Sequence, residues 1–145
     1  MTTGLVEAWT DVLAFVKNVW DNDSVTQDVP VAWPNLNTNT PLATGNIPWA
    51  RIDVLFDENY QSGLGDSRRR YTMPGYLTVQ IFTPVGQGKL LALGIAQVVI
   101  RGVRGQRTTN GVIFRDSRTT ENEKSITGNW YQYNVTFNLE VDDIQ

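Results

Sequence analysis

The chain has 145 residues, no histidine, no cysteine and a formal net charge of −3. That length suits one domain with a substantial core. The missing residue types exclude Ser-His-Asp and Cys-His catalysis, zinc sites of the usual ligand types and any disulfide framework. Charge is unevenly spread: ten of the twelve Lys and Arg residues lie between Arg68 and Lys124. The acids Glu7, Asp11, Asp21, Asp23, Asp28, Asp53, Asp57 and Glu58 dominate the first part, against Lys17 and Arg51. Such separation makes a subunit self-complementary or lines a channel; a solvated mixed surface is the plainer account.

Thr3 is placed to cap a helix whose apolar positions Leu5, Trp9, Val12, Leu13, Val16 and Trp20 follow helical spacing. Glu7, Asp11 and Lys17 interrupt this stretch, which argues against a signal peptide or a membrane span. Residues 21–48 lose periodicity and hold Pro30, Pro34, Pro41 and Pro48, so they read as an extended connector. A short strand is expected within it at Val29–Trp33. A loop of that length suggests a path across a surface or a partner.

Trp49–Phe56 alternates, with Ile52, Val54 and Phe56 sharing a face, and reads as a strand. Residues 57–70 are expected to be a polar loop ending in Arg68, Arg69 and Arg70. Tyr71–Thr83 is a second strand, with Leu77, Val79 and Ile81 on one face and Tyr76, Thr78, Gln80 and Phe82 on the other. Pro84 and the Gly86-Gln87-Gly88 turn end it. Lys89–Val103 is a helix, apolar nearly all round except at Lys89, Gln97 and Arg101. Residues 104–125 are expected to be a long loop, apart from a short strand at Val112–Arg115.

Trp130–Val141 closes the chain as a long alternating strand. Tyr131, Tyr133, Val135, Phe137, Leu139 and Val141 form one face, while Gln132, Asn134, Thr136, Asn138 and Glu140 form the other. That second face carries little charge to discourage edge pairing, so it suits contact with a neighbouring surface. The order helix, strand, strand, helix, strand, strand predicts an α+β domain over 1–145. A mainly antiparallel twisted sheet of about four or five strands packs against an N-terminal helix and a central helix.

Candidate sites are sparse. Gly86-x-Gly88-Lys89 before a helix lacks the spacing and the Ser/Thr of a phosphate-binding loop, so a strand-to-helix turn accounts for it. Gly102-Val-Arg-Gly105-Gln-Arg107 has the form of a basic GxxG loop, which a glycine helix cap explains more simply. Asp53, Asp57 and Glu58 are a candidate carboxylate group for acid–base work or a divalent ion, and solvent exposure of Asp53 is the plainer account. Arg68, Arg69 and Arg70 suit nucleic-acid phosphates or a neighbour's carboxylates, with a solvated loop end as the bland alternative. Among the tryptophans, Trp9 and Trp20 are core by spacing, whereas Trp33, Trp49 and Trp130 are open to stacking roles. No metal or cofactor is expected.

The ordered segments WARIDVLFDE (49–58), YTMPGYLTVQIFTPVGQG (71–88) and GNWYQYNVTFNLEVDD (128–143) carry a family resemblance. IFTPVGQGK (81–89) and GNWYQYNV (128–135) are its most specific pieces. The chain resembles the tail terminator, or tail completion, proteins of long-tailed bacteriophages of the lambda type. It is similar also to related phage domains that share the aromatic closing strand. The likeness spans nearly the whole chain, although the 21–48 connector is longer than the forms associated with the group. It implies a structural virion protein, not an enzyme, forming a hexameric ring on the head-proximal end of the tail tube. The ring stops tube polymerisation and joins tail to head. Implied partners are further copies of the chain, the tail tube protein and a head completion or connector protein. DNA passes through the lumen, and assembly takes place in the host cytoplasm without a membrane.

Under that reading, Arg68, Arg69, Arg70, Gln132, Asn134, Thr136 and Asn138 are expected at a subunit or tube interface. Arg101, Arg104, Arg107, Arg115 and Arg118 are expected to face the lumen or DNA. Rival readings are a head-side connector or neck ring protein, a nucleic-acid-binding module using the last five arginines, and an acid–base enzyme using Asp53 and Glu58. Tight, sequence-dependent nucleic-acid binding would distinguish the second.

Overall fold

The computed structural model describes residues 5–34, 47–56, 60–64, 69–84, 86, 89–122 and 130–144. Thr3, Asp57, Glu58 and Arg68 lie outside the described residues, as do Gln87 and Gly88 of the expected turn and residues 35–46 of the expected connector. In chain order the elements are α1 (Leu5–Asp21), β1 (Val31–Ala32), β2 (Trp49–Phe56), β3 (Tyr60–Leu64), β4 (Arg69–Pro84), α2 (Lys89–Val103), β5 (Ile113–Asn122) and β6 (Trp130–Ile144). They form one six-stranded sheet in the order β1-β2-β4-β6-β5, with β3 paired to the start of β4. The β1–β2 pair is parallel and the other pairs are antiparallel. Both helices cover one face, giving the expected α+β architecture.

The core lies between that face and the helices. Helix α1 contributes Ala8, Val12, Val16 and Trp20, four residues apart and all buried, so they form one stripe along the helix. Helix α2 contributes Ala92, Ile95, Ala96, Val99 and Val103. The sheet answers with Ile52 and Val54, with Leu77, Val79 and Ile81, and with Val135, Phe137, Leu139 and Val141. Gly102 sets the distance between the helices, since a Cβ there would stand 2.5 Å from Val19 Cγ1.

Residues 21–34 are less extended than expected. The Thr26 hydroxyl donates to the Trp20 carbonyl at 2.6 Å, satisfying an open acceptor at the end of α1. The Trp20 indole N–H donates to the Val29 carbonyl at 3.0 Å. This pinning folds the segment into turns beside α1 and leaves two residues, Val31–Ala32, to pair with β2.

Within the segments expected as long loops, the described residues 60–64, 69–70 and 113–122 are strands. Tyr60–Leu64 pairs with the first residues of β4, and its register shifts between Gln61 and Gly63. Residues after α2 form a tight turn: Gly105 N–H donates to the Phe114 carbonyl at 3.0 Å, and Phe114 N–H to the Gln106 carbonyl at 2.9 Å. Positive φ at Gly105 (74°) and Gly111 (92°) permits this path. Strand β5 then runs to Asn122, well past Arg115. Its polar composition hides it in the sequence, while pairing with β6 satisfies the backbone groups on its inner side.

Candidate assembly surface

The face of the sheet opposite the helices carries the side chains that alternate with the core. Registers place them in rows across four strands. Asp53, Thr78, Thr136 and Arg118 form one row; Arg51, Gln80, Asn134 and Thr120 form the next. Leu55, Tyr76 and Asn138 lie on one side of these. The first row, with Arg51, Gln80, Leu55 and Tyr76, lines a shallow concavity of about 510 Å³. Leu55 is 66% exposed and Tyr76 39%, so apolar surface faces outward here.

On the other side of the rows the face builds a second, smaller core. Trp49 stacks on Phe82 at 4.2 Å between ring centroids and meets Trp130 edge-on at 6.3 Å. All three are buried. The Arg51 guanidinium sits 5.7 Å from the Trp49 ring and 5.9 Å from the Phe82 ring, within cation–π range. Trp49 and Trp130 therefore have a packing role that spacing left open. Trp33 is half-buried and carries the Lys17 ammonium 5.7 Å above its ring.

The amide-rich side of β6 is internally connected. Gln132 Nε2 donates to Asn134 Oδ1 at 2.9 Å, and Asn134 Nδ2 to Thr120 Oγ1 at 3.3 Å. Thr78 and Gln80 stand opposite Thr136 and Asn134, so the neutral sides of the two long strands meet as one surface.

The arginines divide among several places. Arg69 and Arg70 open β4 inside the sheet, Arg69 opposite Leu64 and Arg70 opposite Gly63 and Ile144, and do not belong to a loop. The change arises because β3 pairs with both residues and β6 pairs with Arg70 from the other side. Arg101 and Arg104 are exposed on and just after α2, on the helical side of the molecule. Arg107 lies in the following turn, bridged to Ile113. Arg115 Nε approaches Glu140 Oε2 at 3.4 Å, and Arg118 lines the sheet concavity. The five arginines thus do not share one surface, because the sheet separates α2 from the outward side of β5.

The turn motifs are structural. Gly86 has φ of 105° between β4 and α2, and the Lys89 ammonium pairs with Glu121 Oε2 at 2.8 Å. Hydrogen bonds from Lys89 and then from the Tyr131 hydroxyl hold the Glu121 carboxyl below its ordinary range. Gly105 takes the left-handed conformation just past α2, as a helix cap requires. Asp53 is exposed and accepts the Val54 N–H at 2.9 Å, an arrangement that needs no substrate. Among the described residues, no group of three or more His, Cys, Asp or Glu side chains is placed to hold a metal.

A family model described as phage tail terminator protein matches residues 12–138. One solved chain is similar in fold, with a TM-score of 0.58 at 16% identity over 94% of this chain and 92% of that chain. No curated protein matches.

Proposed function

The chain belongs to the phage tail terminator family, and from that premise we propose that it closes into a ring, a hexamer by the family resemblance, on the head-proximal end of the tail tube. Membership makes it a structural component of the phage tail, in a family not known for enzymatic activity. In the proposed role the whole chain acts as one terminator-like domain. The ring stops addition of tube subunits and presents a surface to the head completion or connector protein. DNA crosses its lumen, and the assembled protein travels in the virion.

The family match over residues 12–138 carries this reading. Two physical features support it. A mainly antiparallel sheet with one face uncovered, carrying exposed Leu55 and Tyr76 among polar side chains, is suited to a partner surface. Ring closure needs a heterologous contact, with two different patches meeting around an axis, and the helical side and the open sheet face offer unlike surfaces. We assign the Gln132, Asn134, Thr136 and Asn138 side of β6 to tube or subunit contact, and Arg68, Arg69 and Arg70 to a neighbouring subunit.

Native mass measured alone and with tail tubes tests the proposal. Rings on tube ends, with tube length fixed by addition of the protein, are the expected outcome. A monomer under both conditions, with tubes continuing to grow, would overturn it. Substituting all three arginines of 68–70 should reduce ring mass or tail joining; unchanged assembly removes their role.

A further inference from the structure

Helix α2 is apolar on nearly all sides, yet only its inner side is packed. Leu90 is 81% exposed and Leu93 36%. Helices apolar all round belong in buried settings, so this outer side lacks its cover. Leu90, Leu93, Gly94, Gln97, Arg101 and Arg104 border an open concavity of about 580 Å³. At Gly94 an added Cβ would meet nothing within 4 Å. Glycine in a helix interior is unfavourable compared with alanine, and no contact among the described residues requires it here. Its bare backbone leaves room for close approach from outside.

The border has a charge preference. Arg101 and Arg104 are exposed, and among the described residues neither has an ion-pair partner. The surface therefore suits an occupant with adjacent apolar and acidic side chains. The start of α1 has that chemistry: Leu5 is 56% exposed, Val6 is 72% exposed, and Glu7 is exposed beside them. Glu7 also has no ion-pair partner among the described residues.

The two patches lie apart in the helical layer. Val19 near the end of α1 meets Gly102 near the end of α2. Gly94 and Val98 then share a concavity with Asn22 and Val25, at and past the end of α1. Leu5 lies about 20 Å from Val19 in the other direction, at 1.5 Å per residue. Separate, unlike patches make a head-to-tail contact, the kind that closes a ring.

We propose that the start of α1 of one copy, through Leu5, Val6 and Glu7, seats on the outer side of α2 of the next copy, against Leu90, Leu93, Arg101 and Arg104. This rests on the ring reading above and names its subunit contact. The absence of cysteine permits a direct test in the full chain. Val6→Cys and Leu90→Cys proteins are mixed, with and without tail tubes, and treated with a short bis-maleimide. Cross-linked dimers are expected from the mixture, and a ladder up to ring mass from the double variant. Arg101→Glu with Arg104→Glu should lower the yield about tenfold, and adding Glu7→Arg should restore it.

Rings by native mass without cross-links between the two substituted positions would overturn this contact and leave the ring reading standing. Cross-links from the Leu90→Cys protein to the tube protein alone would assign the α2 surface to that partner instead. A monomer under every condition would overturn both the contact and the ring.

Discussion

The two faces of the sheet are built from the same strands and have opposite fates. Toward the helices, Ile52, Val79, Val135 and Phe137 are sealed by α1 and α2. Away from them, Asp53, Thr78, Gln80, Thr136 and Asn138 are half-buried or exposed, while the Trp49, Phe82 and Trp130 group is closed. One face therefore supplies stability and the other is available for contact. Adjacent residues on one strand can separate these two duties.

The largest expected effect comes from Phe137 and its neighbour Thr136. Phe137 is fully buried, so Phe137→Ala should cost about 3–5 kcal/mol through lost burial and the cavity left behind. Thr136→Ala, on the open face, should change stability by no more than about 0.5 kcal/mol. Denaturant unfolding of both variants checks the pair. Equal losses would mean that the open face is also a folding surface, which would erase the distinction.

A second contrast lies within α2. Gly102 faces Val19, a stiff β-branched side chain, so Gly102→Ala should destabilise by about 1–3 kcal/mol through forced repacking. Gly94 faces open space, so Gly94→Ala should stabilise the free subunit by about 0.5–1 kcal/mol. Thermal unfolding of the two variants should shift in opposite directions. Shifts of the same sign would show that the inner and outer sides of α2 are not distinguished by packing.

The aromatic end of the open face gives a smaller effect. Arg51 lies over Trp49 and Phe82 while remaining exposed, so Arg51→Ala should cost about 0.5–1 kcal/mol. Arg51→Lys should recover part of that loss. If neither substitution alters the unfolding midpoint, the guanidinium is a bystander above a self-sufficient ring cluster.

These faces were legible from alternation to different degrees. Trp49–Phe56 and Lys89–Val103 have the expected bounds because their apolar periods run unbroken between turn residues. The shared polar surface of β4 and β6 follows from the same period, although the Thr78–Thr136 register needed the long hairpin-like pairing itself. Strand β3, with the sequence YQSGL, has no apolar alternation and depends on β4 for its definition. Strand β5 hides for a related reason: its register shifts between Phe114 and Ser117, which breaks the period, and the following Arg-Thr-Thr-Glu-Asn run is polar on both faces. Counting arginines in sequence also could not show that a sheet separates Arg101 and Arg104 from Arg118. Sequence gives the face of a residue within its element; tertiary pairing decides which faces meet.

The smallest expected effect concerns the edge where the helix-covered side is tied down. Lys89, at the start of α2, pairs with Glu121 on β5, and the Tyr131 hydroxyl of β6 donates to Glu121 Oε2 at 2.6 Å. Both hydrogen bonds favour the ionised carboxyl, Lys89 more strongly, and lower its pKa in the folded protein. A lowered folded pKa gives stability that is present above the unfolded carboxyl pKa and is lost as pH falls through the folded value. Glu121→Gln should therefore lower the unfolding midpoint slightly at neutral pH, and the two proteins should converge in acid. Because these groups are exposed, added salt should shrink the neutral-pH difference as well. A difference that persists unchanged in acid would mean that Glu121 acts through its shape and hydrogen bonds, with its charge contributing nothing to the anchoring of α2.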